Sequence, residues 1–217
     1  MKPHALSAPL RALALLPLLA ALAGCSILGS GSRDPVTIYS PQARATADPA
    51  WPQVEWQLAI SKPSATRLID SPRIAVRPIP GELQVYRGSS WAQPPTDMLE
   101  ASVLRVLEDS GRIAGVGRLA TGMLSDYRLA MDVRRFEADY RGGGEPAATI
   151  EVSATLFDIR DQRIVARRTF ERVQPAPATD VATVANAFDQ ALASISAEIA
   201  GWTLAQGQGD ARPHPRP

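Results

Sequence analysis

The sequence predicts an α+β fold: an antiparallel sheet with a three-stranded C-terminal meander, packed against two helices as a two-layer sandwich. Three observations carry that expectation. Residues 126 to 173 alternate apolar and polar side chains through three runs separated by turn signals. Two other segments, near residue 100 and after residue 179, repeat apolar residues every three or four positions. A chain of 217 residues with 45% hydrophobic side chains is long enough for one well-buried core and short for two.

The elements follow in order. Short strand signals come first, as "VTIYS" at 36 to 40, "VEWQLAIS" at 54 to 61 and "RIAVRPI" at 73 to 79, with Pro49, Pro52, Pro63, Pro72, Pro78 and Pro80 limiting their length. A small ribbon is expected around Leu83 to Tyr86 and Trp91. Then the period changes: Leu99, Val103, Val106 and Leu107 share a helical face, two prolines precede them and Gly111 follows, so a helix is expected over 95 to 109.

The meander opens with "DYRLAMDV", where Tyr127, Leu129, Met131 and Val133 form one apolar face. In "RRFEADY" the apolar set moves to Phe136, Ala138 and Tyr140. This change of parity predicts an inserted bulge residue at Arg134 or Arg135. The turn "RGGGEP" leads to a second strand with Ile150, Val152, Ala154 and Leu156 on one face, and "IRDQR" turns into a third, "IVARRTFERV". The last element carries Val181, Val184, Phe188, Leu192, Ile195, Ile199 and Trp202 over about six helical turns, with Thr179 or Asp180 as its cap.

At the N-terminus, Lys2 and Arg11 precede "ALALLPLLAALAG", an uncharged apolar run too short to span a bilayer comfortably. Leu22-Ala23-Gly24-Cys25 then resembles a bacterial lipobox. That resemblance implies a signal peptide over residues 1 to 24, cut before Cys25, with the Cys25 thiol carrying diacylglycerol and the new amino terminus acylated, palmitate being the expected chain. Three acyl chains at about 0.8 kcal/mol per buried CH₂ anchor a protein stably. Ser26, where an Asp resembles the inner-membrane retention signal, favours the outer membrane. Residues 25 to 35 read as a Gly/Ser-rich tether reaching roughly 35 Å at most, residues 36 to 204 as the folded domain, and residues 205 to 217 as a disordered tail.

Charge and composition exclude several functions. Lys2 and Arg11 leave with the signal, so 21 basic residues face 22 acidic ones, which lacks the basic footprint of a nucleic-acid binder. The one cysteine, spent on lipid, leaves neither a disulfide nor a Cys-based metal site. His4 departs with the signal and His214 lies in the tail, so no histidine serves a catalytic triad or a zinc site inside the fold. No cofactor or metal is expected. Acidic residues from Asp126 to Asp161 are scattered over the meander's polar face and turns, where solvated charge is the ordinary reading. "RGGGE" lacks phosphate-loop spacing and reads as a hairpin tip. The candidate partner contacts are Trp91, Arg134 and Arg135, because aromatic residues and arginine are enriched at interfaces.

The order of features resembles one family. A lipobox, "YS-P", "IAVRPI-P", "LQVYRGSSWAQPPTDMLEASVLRVLEDSG", "YRLAMDVRRFEADY" and a final helix ending "AEIAGW" together look like ABC-type transport auxiliary lipoproteins over residues 36 to 203. The resemblance implies a non-catalytic, lipid-anchored accessory subunit of an MCE-type (mammalian cell entry) transport system that moves phospholipids or other hydrophobic molecules between inner and outer membranes. It would face the periplasm, dock an MCE-domain protein and assemble into a homo-oligomeric ring. The alternatives are a structural assembly lipoprotein of another outer-membrane machine and an envelope hydrolase with a carboxylate pair.

Overall fold

Tyr127–Asp139 forms a thirteen-residue strand around which the rest of the sheet is built. In the computed structural model, which describes residues 35 to 211, the elements in chain order are β1 (Thr37–Tyr39), β2 (Val54–Ile60), β3 (Ser64–Ala65), β4 (Arg73–Arg77), β5 (Gln84–Trp91), α1 (Pro95–Ser110), β6 (Ile113–Arg118), β7 (Tyr127–Asp139), β8 (Ala147–Asp158), β9 (Arg163–Pro175) and α2 (Val181–Asp210). The expected signal peptide, Cys25 and the last six residues lie outside the described residues.

The α+β class and the meander are as the sequence predicts: β7, β8 and β9 pair antiparallel in succession. The sheet as a whole is mixed rather than antiparallel. Along its other edge β7 takes three partners in parallel, β2 at 127 to 129, β3 at 132 and 133, and β4 at 137 to 139. β6 adds to β2 in parallel, β5 to β4 antiparallel and β1 to β5 in parallel. Short strands divide the long edge because Pro63 and Pro72 interrupt the run between them, and proline has no amide to give to a ladder.

The bulge falls where parity predicts it. Register shifts between Val133 and Arg135, leaving Arg134 unpaired, so Val133 and Phe136 both face the core across a three-residue interval. Phe136 then stacks on Phe188 of α2 with ring centroids 4.8 Å apart, and Trp91 meets both rings edge-on at 6.0 and 5.1 Å. This cluster fastens β5, β7 and α2 together. It also corrects the expectation for Trp91, which is 2% exposed and serves the core instead of a partner.

Both helices obey their signals. α1 starts with Pro95 at its first position and ends on Gly111, whose φ of 61° suits a residue without Cβ. Asp180 caps α2, its Oδ1 accepting the Thr183 amide at 2.9 Å. The expected tail from residue 205 is corrected: α2 continues to Asp210. Leu204 is fully buried there, and Asp210 accepts hydrogen bonds from Arg163 Nη2 at 2.5 Å and the Tyr127 hydroxyl at 3.2 Å. Burial and the Asp210 carboxylate push the Tyr127 hydroxyl up to about 12. β6 is also absent from the sequence reading, because Gly115 and Gly117 break its alternation.

Two glycines explain how α2 reaches that far. A Cβ on Gly201 would lie 2.5 Å from Trp51 Nε1, and one on Gly207 would lie 2.4 Å from Trp56 Cζ2. Gly207 falls in a Gly-rich stretch that reads as tail and Gly201 in the helix, but each bare helix position admits a tryptophan ring. Gly209, with nothing within 4 Å of its Cβ position, has no such role. Urea unfolding should therefore show Gly207→Ala losing about 1–3 kcal/mol to overpacking, while Gly209→Ala gains up to about 1 kcal/mol from lower helix-backbone entropy.

Candidate functional site: the charged face of the sheet

The pleat that sends Phe136 and Ala138 to the core sends Arg135, Glu137 and Asp139 to the opposite face, away from both helices. Arg135 stands at the centre. Its Nε donates to Glu137 Oε1 at 2.8 Å, its Nη2 to Asp139 Oδ2 at 2.6 Å, and its Nη1 lies 3.5 Å from Glu171 Oε1 on β9. Arg77 closes the cluster from β4 with two parallel bonds to Glu137, 2.7 Å from Nε to Oε1 and 2.9 Å from Nη2 to Oε2. Glu137 is 3% exposed on what is nominally a solvent face, because the two guanidinium groups cover it.

Burial alone would raise the pKa of Asp139. The Arg141 amide, which donates to Oδ1 at 2.8 Å, and the Arg135 guanidinium outweigh it and hold the carboxyl below its ordinary value. This direction is opposite to what a general acid requires. Asp126 is likewise committed: it accepts from Arg160 and from the Gln57 amide. Asp158 accepts the amides of Arg160 and Asp161 at the β8–β9 turn. The hydrolase alternative needs a converging pair with one member protonated, whereas Asp139 is held below its ordinary value and Asp126 and Asp158 accept from donors at separate turns.

Arg134 is built differently. As the bulge residue it leaves the ladder, and its side chain is 48% exposed. It reaches Glu151 Oε1 at 3.6 Å, Asp132 Oδ2 at 3.8 Å and Thr169 Oγ1 at 3.4 Å, none of them a close bond. The two arginines paired in the sequence reading thus separate: Arg135 is consumed inside the domain and Arg134 is presented outward. Nothing in the dipeptide distinguishes them. What does is the bulge, together with acids at 137 and 139 that lie on the same strand face as 135.

Among the described residues, no group of three or more His, Cys, Asp or Glu is placed to hold a metal ion, and no helix is long and apolar enough to cross a membrane.

Replacing Arg135 by Ala strips the nearly buried Asp139 of its guanidinium and leaves Glu137 with Arg77 alone, and urea unfolding at neutral pH should report a loss of about 3–5 kcal/mol. The pH dependence has a definite sign. A carboxyl whose folded pKa lies below its unfolded value of 3.8 stabilises the fold above that value and loses the contribution as pH falls through the folded pKa. The native chain should therefore lose stability below about pH 4, and Arg135→Ala should lose less over the same interval.

A family model described as "ABC-type transport auxiliary lipoprotein component" matches residues 37 to 200. The chain is similar to the crystal structure of protein XCC0632 from Xanthomonas campestris, with 60% identity and a TM-score of 0.78 over 81% of this chain and 98% of that one. A second crystal structure, of an uncharacterized protein, shares the fold at 15% identity, with a TM-score of 0.60 over 76% of this chain and 97% of that one. "Uncharacterized protein bll6063" of Bradyrhizobium diazoefficiens is 27% identical over 176 residues, which are 81% of this chain and 47% of that protein, so the chain spans about half the length of the curated relative it matches. With the model covering the sheet and most of both helices, the chain belongs to the family of ABC-type transport auxiliary lipoprotein components.

Proposed function

We propose that the protein is a lipid-anchored, periplasm-facing accessory subunit of an MCE-type ABC transport system, one that moves phospholipids or other hydrophobic molecules between the inner and outer membranes. It acts by docking and assembly, without catalysis. The observation that carries this reading is the family match beginning at residue 37, twelve residues behind a lipobox cysteine at position 25. A domain tethered that closely to its anchor works at a membrane surface, where confinement raises its effective concentration toward a partner held in the same envelope. Cys25 is the lipidation site and Ser26 directs the chain to the outer membrane. The MCE-domain protein is the partner, and Arg134 is a contact on the charged face, its guanidinium exposed and only loosely paired.

Fractionation of cells expressing the full chain tests the anchor: the native protein should float with outer-membrane vesicles, and Cys25→Ala should move to the soluble periplasmic fraction. Crosslinking in the same cells tests the role. An MCE-domain protein should co-purify with the native chain, and its absence from a correctly anchored chain would overturn the transport reading. Arg134→Glu should cut the recovered partner by about tenfold while changing stability by no more than about 0.5 kcal/mol, as expected of an exposed side chain.

A further inference from the structure

β1 is the strand nearest to Cys25 in the chain. Val36, just before it, lies eleven positions after Cys25, a span of at most about 40 Å. The strand forms the rim of the sheet, because only one of its edges is paired, to β5. Its direction also fixes where the preceding chain leaves. β1 runs parallel to β5, so the residues before Thr37 head toward the turn between β4 and β5.

This corner of the domain is both apolar and basic. Val36 is 58% exposed, Ile38 66%, and Ile79 in the β4–β5 turn 51%. Ile38, Ser90 and Arg73 are register partners across β1, β5 and β4, so they share the face turned away from the helices, while the next pair, Tyr39 and Trp91, turns to the core. The three strands carry Arg73, Arg77 and Arg87 and no acidic residue. Arg77 is spent on Glu137, but Arg73 and Arg87 are exposed and form no ion pair among the described residues. Glu82, the acid of the β4–β5 turn, accepts a hydrogen bond from Gln84. A single exposed hydrophobic residue is ordinary. These three differ because they sit beside unpaired cations at the point where the chain leaves for Cys25.

We propose that this corner rests on the bilayer that holds Cys25, with Val36, Ile38 and Ile79 in the interfacial layer and the Arg73 and Arg87 guanidinium groups on lipid phosphates. Apolar side chains gain by leaving water there, and each arginine near an anionic surface favours contact about fivefold. The bilayer is the occupant that the chain itself brings close: an anchor eleven positions from Val36 confines this corner to the membrane surface and raises its effective concentration there. The orientation rests on the lipidation of Cys25 proposed above. It turns Leu124 away from the membrane, since that residue precedes the first residue of β7 while β4 pairs with the last three.

Photocrosslinking on vesicles tests this placement. The mature chain, whose one cysteine is Cys25, is coupled through that thiol to a maleimide lipid in vesicles of phosphatidylethanolamine and phosphatidylglycerol, with p-benzoylphenylalanine in place of Ile38, Ile79 or Leu124. Irradiation should give lipid adducts, detected by mass, at positions 38 and 79 and none at 124. Arg73→Gln combined with Arg87→Gln, both exposed changes, should lower the adduct yield at 38 by at least about fivefold at low ionic strength, with an unchanged circular dichroism spectrum. The proposal is overturned if position 38 gives no more lipid adduct than 124, if it joins two copies of the chain instead, or if removing both arginines leaves the yield unchanged. Because the coupling supplies the anchor chemically, these outcomes are separate from the fractionation of Cys25→Ala, which tests the anchor in cells.

Discussion

Hydrogen bonding along β7 is the constraint on which the domain depends, because this one strand serves four others. β8 takes its full length on one edge, and β2, β3 and β4 divide the other. Pairing on both edges satisfies the strand's backbone but covers neither face, and only one face of this sheet is covered by helices. The face away from them is closed instead by charge. Long arginine side chains from β4 and from β7 itself fold down over the acids between them, so Glu137 and Asp139 are nearly as dry as core residues.

The bulge decides how that closure works. Without the extra residue at Arg134, the parity of Val133 would continue and Phe136 would point to solvent. The aromatic contact to Phe188 and Trp91 would vanish together with the ion-pair cluster on the reverse face. One inserted residue therefore sets both surfaces of the second half of β7. It also releases Arg134 from the ladder, so the same irregularity that orders the core frees a cation toward solvent.

A similar economy operates at the far end of α2. A glycine in a helix interior costs about 0.5–1 kcal/mol of backbone entropy relative to alanine, and this helix carries Gly201 and Gly207. Each is offset by a tryptophan packed against the bare backbone, and the final turn is held by Arg163 and Tyr127 converging on Asp210. The helix thereby connects the N-terminal strands to the meander. Trp51 and Trp56 come from the first part of the chain, Phe170 from β9 meets Trp202, and all three contacts lie along α2.

Much of the domain is legible in the sequence. Periodicity located both helices and the three meander strands, parity located the bulge, and composition identified "RGGGE" as a turn, since these signals are local and each reports which way a side chain must face. The sheet's parallel connections, the burial of Trp91 and the helical state of residues 205 to 210 were not legible. They depend on partners distant in the chain: β7 for the short strands, Phe136 and Phe188 for Trp91, Trp56 and Arg163 for the last helical turns. The same limit governs function. The sequence by itself determined the family and pointed to Cys25, because both rest on contiguous patterns. Only the tertiary structure separated Arg135 from Arg134, because burial and pairing are properties of space and not of spacing.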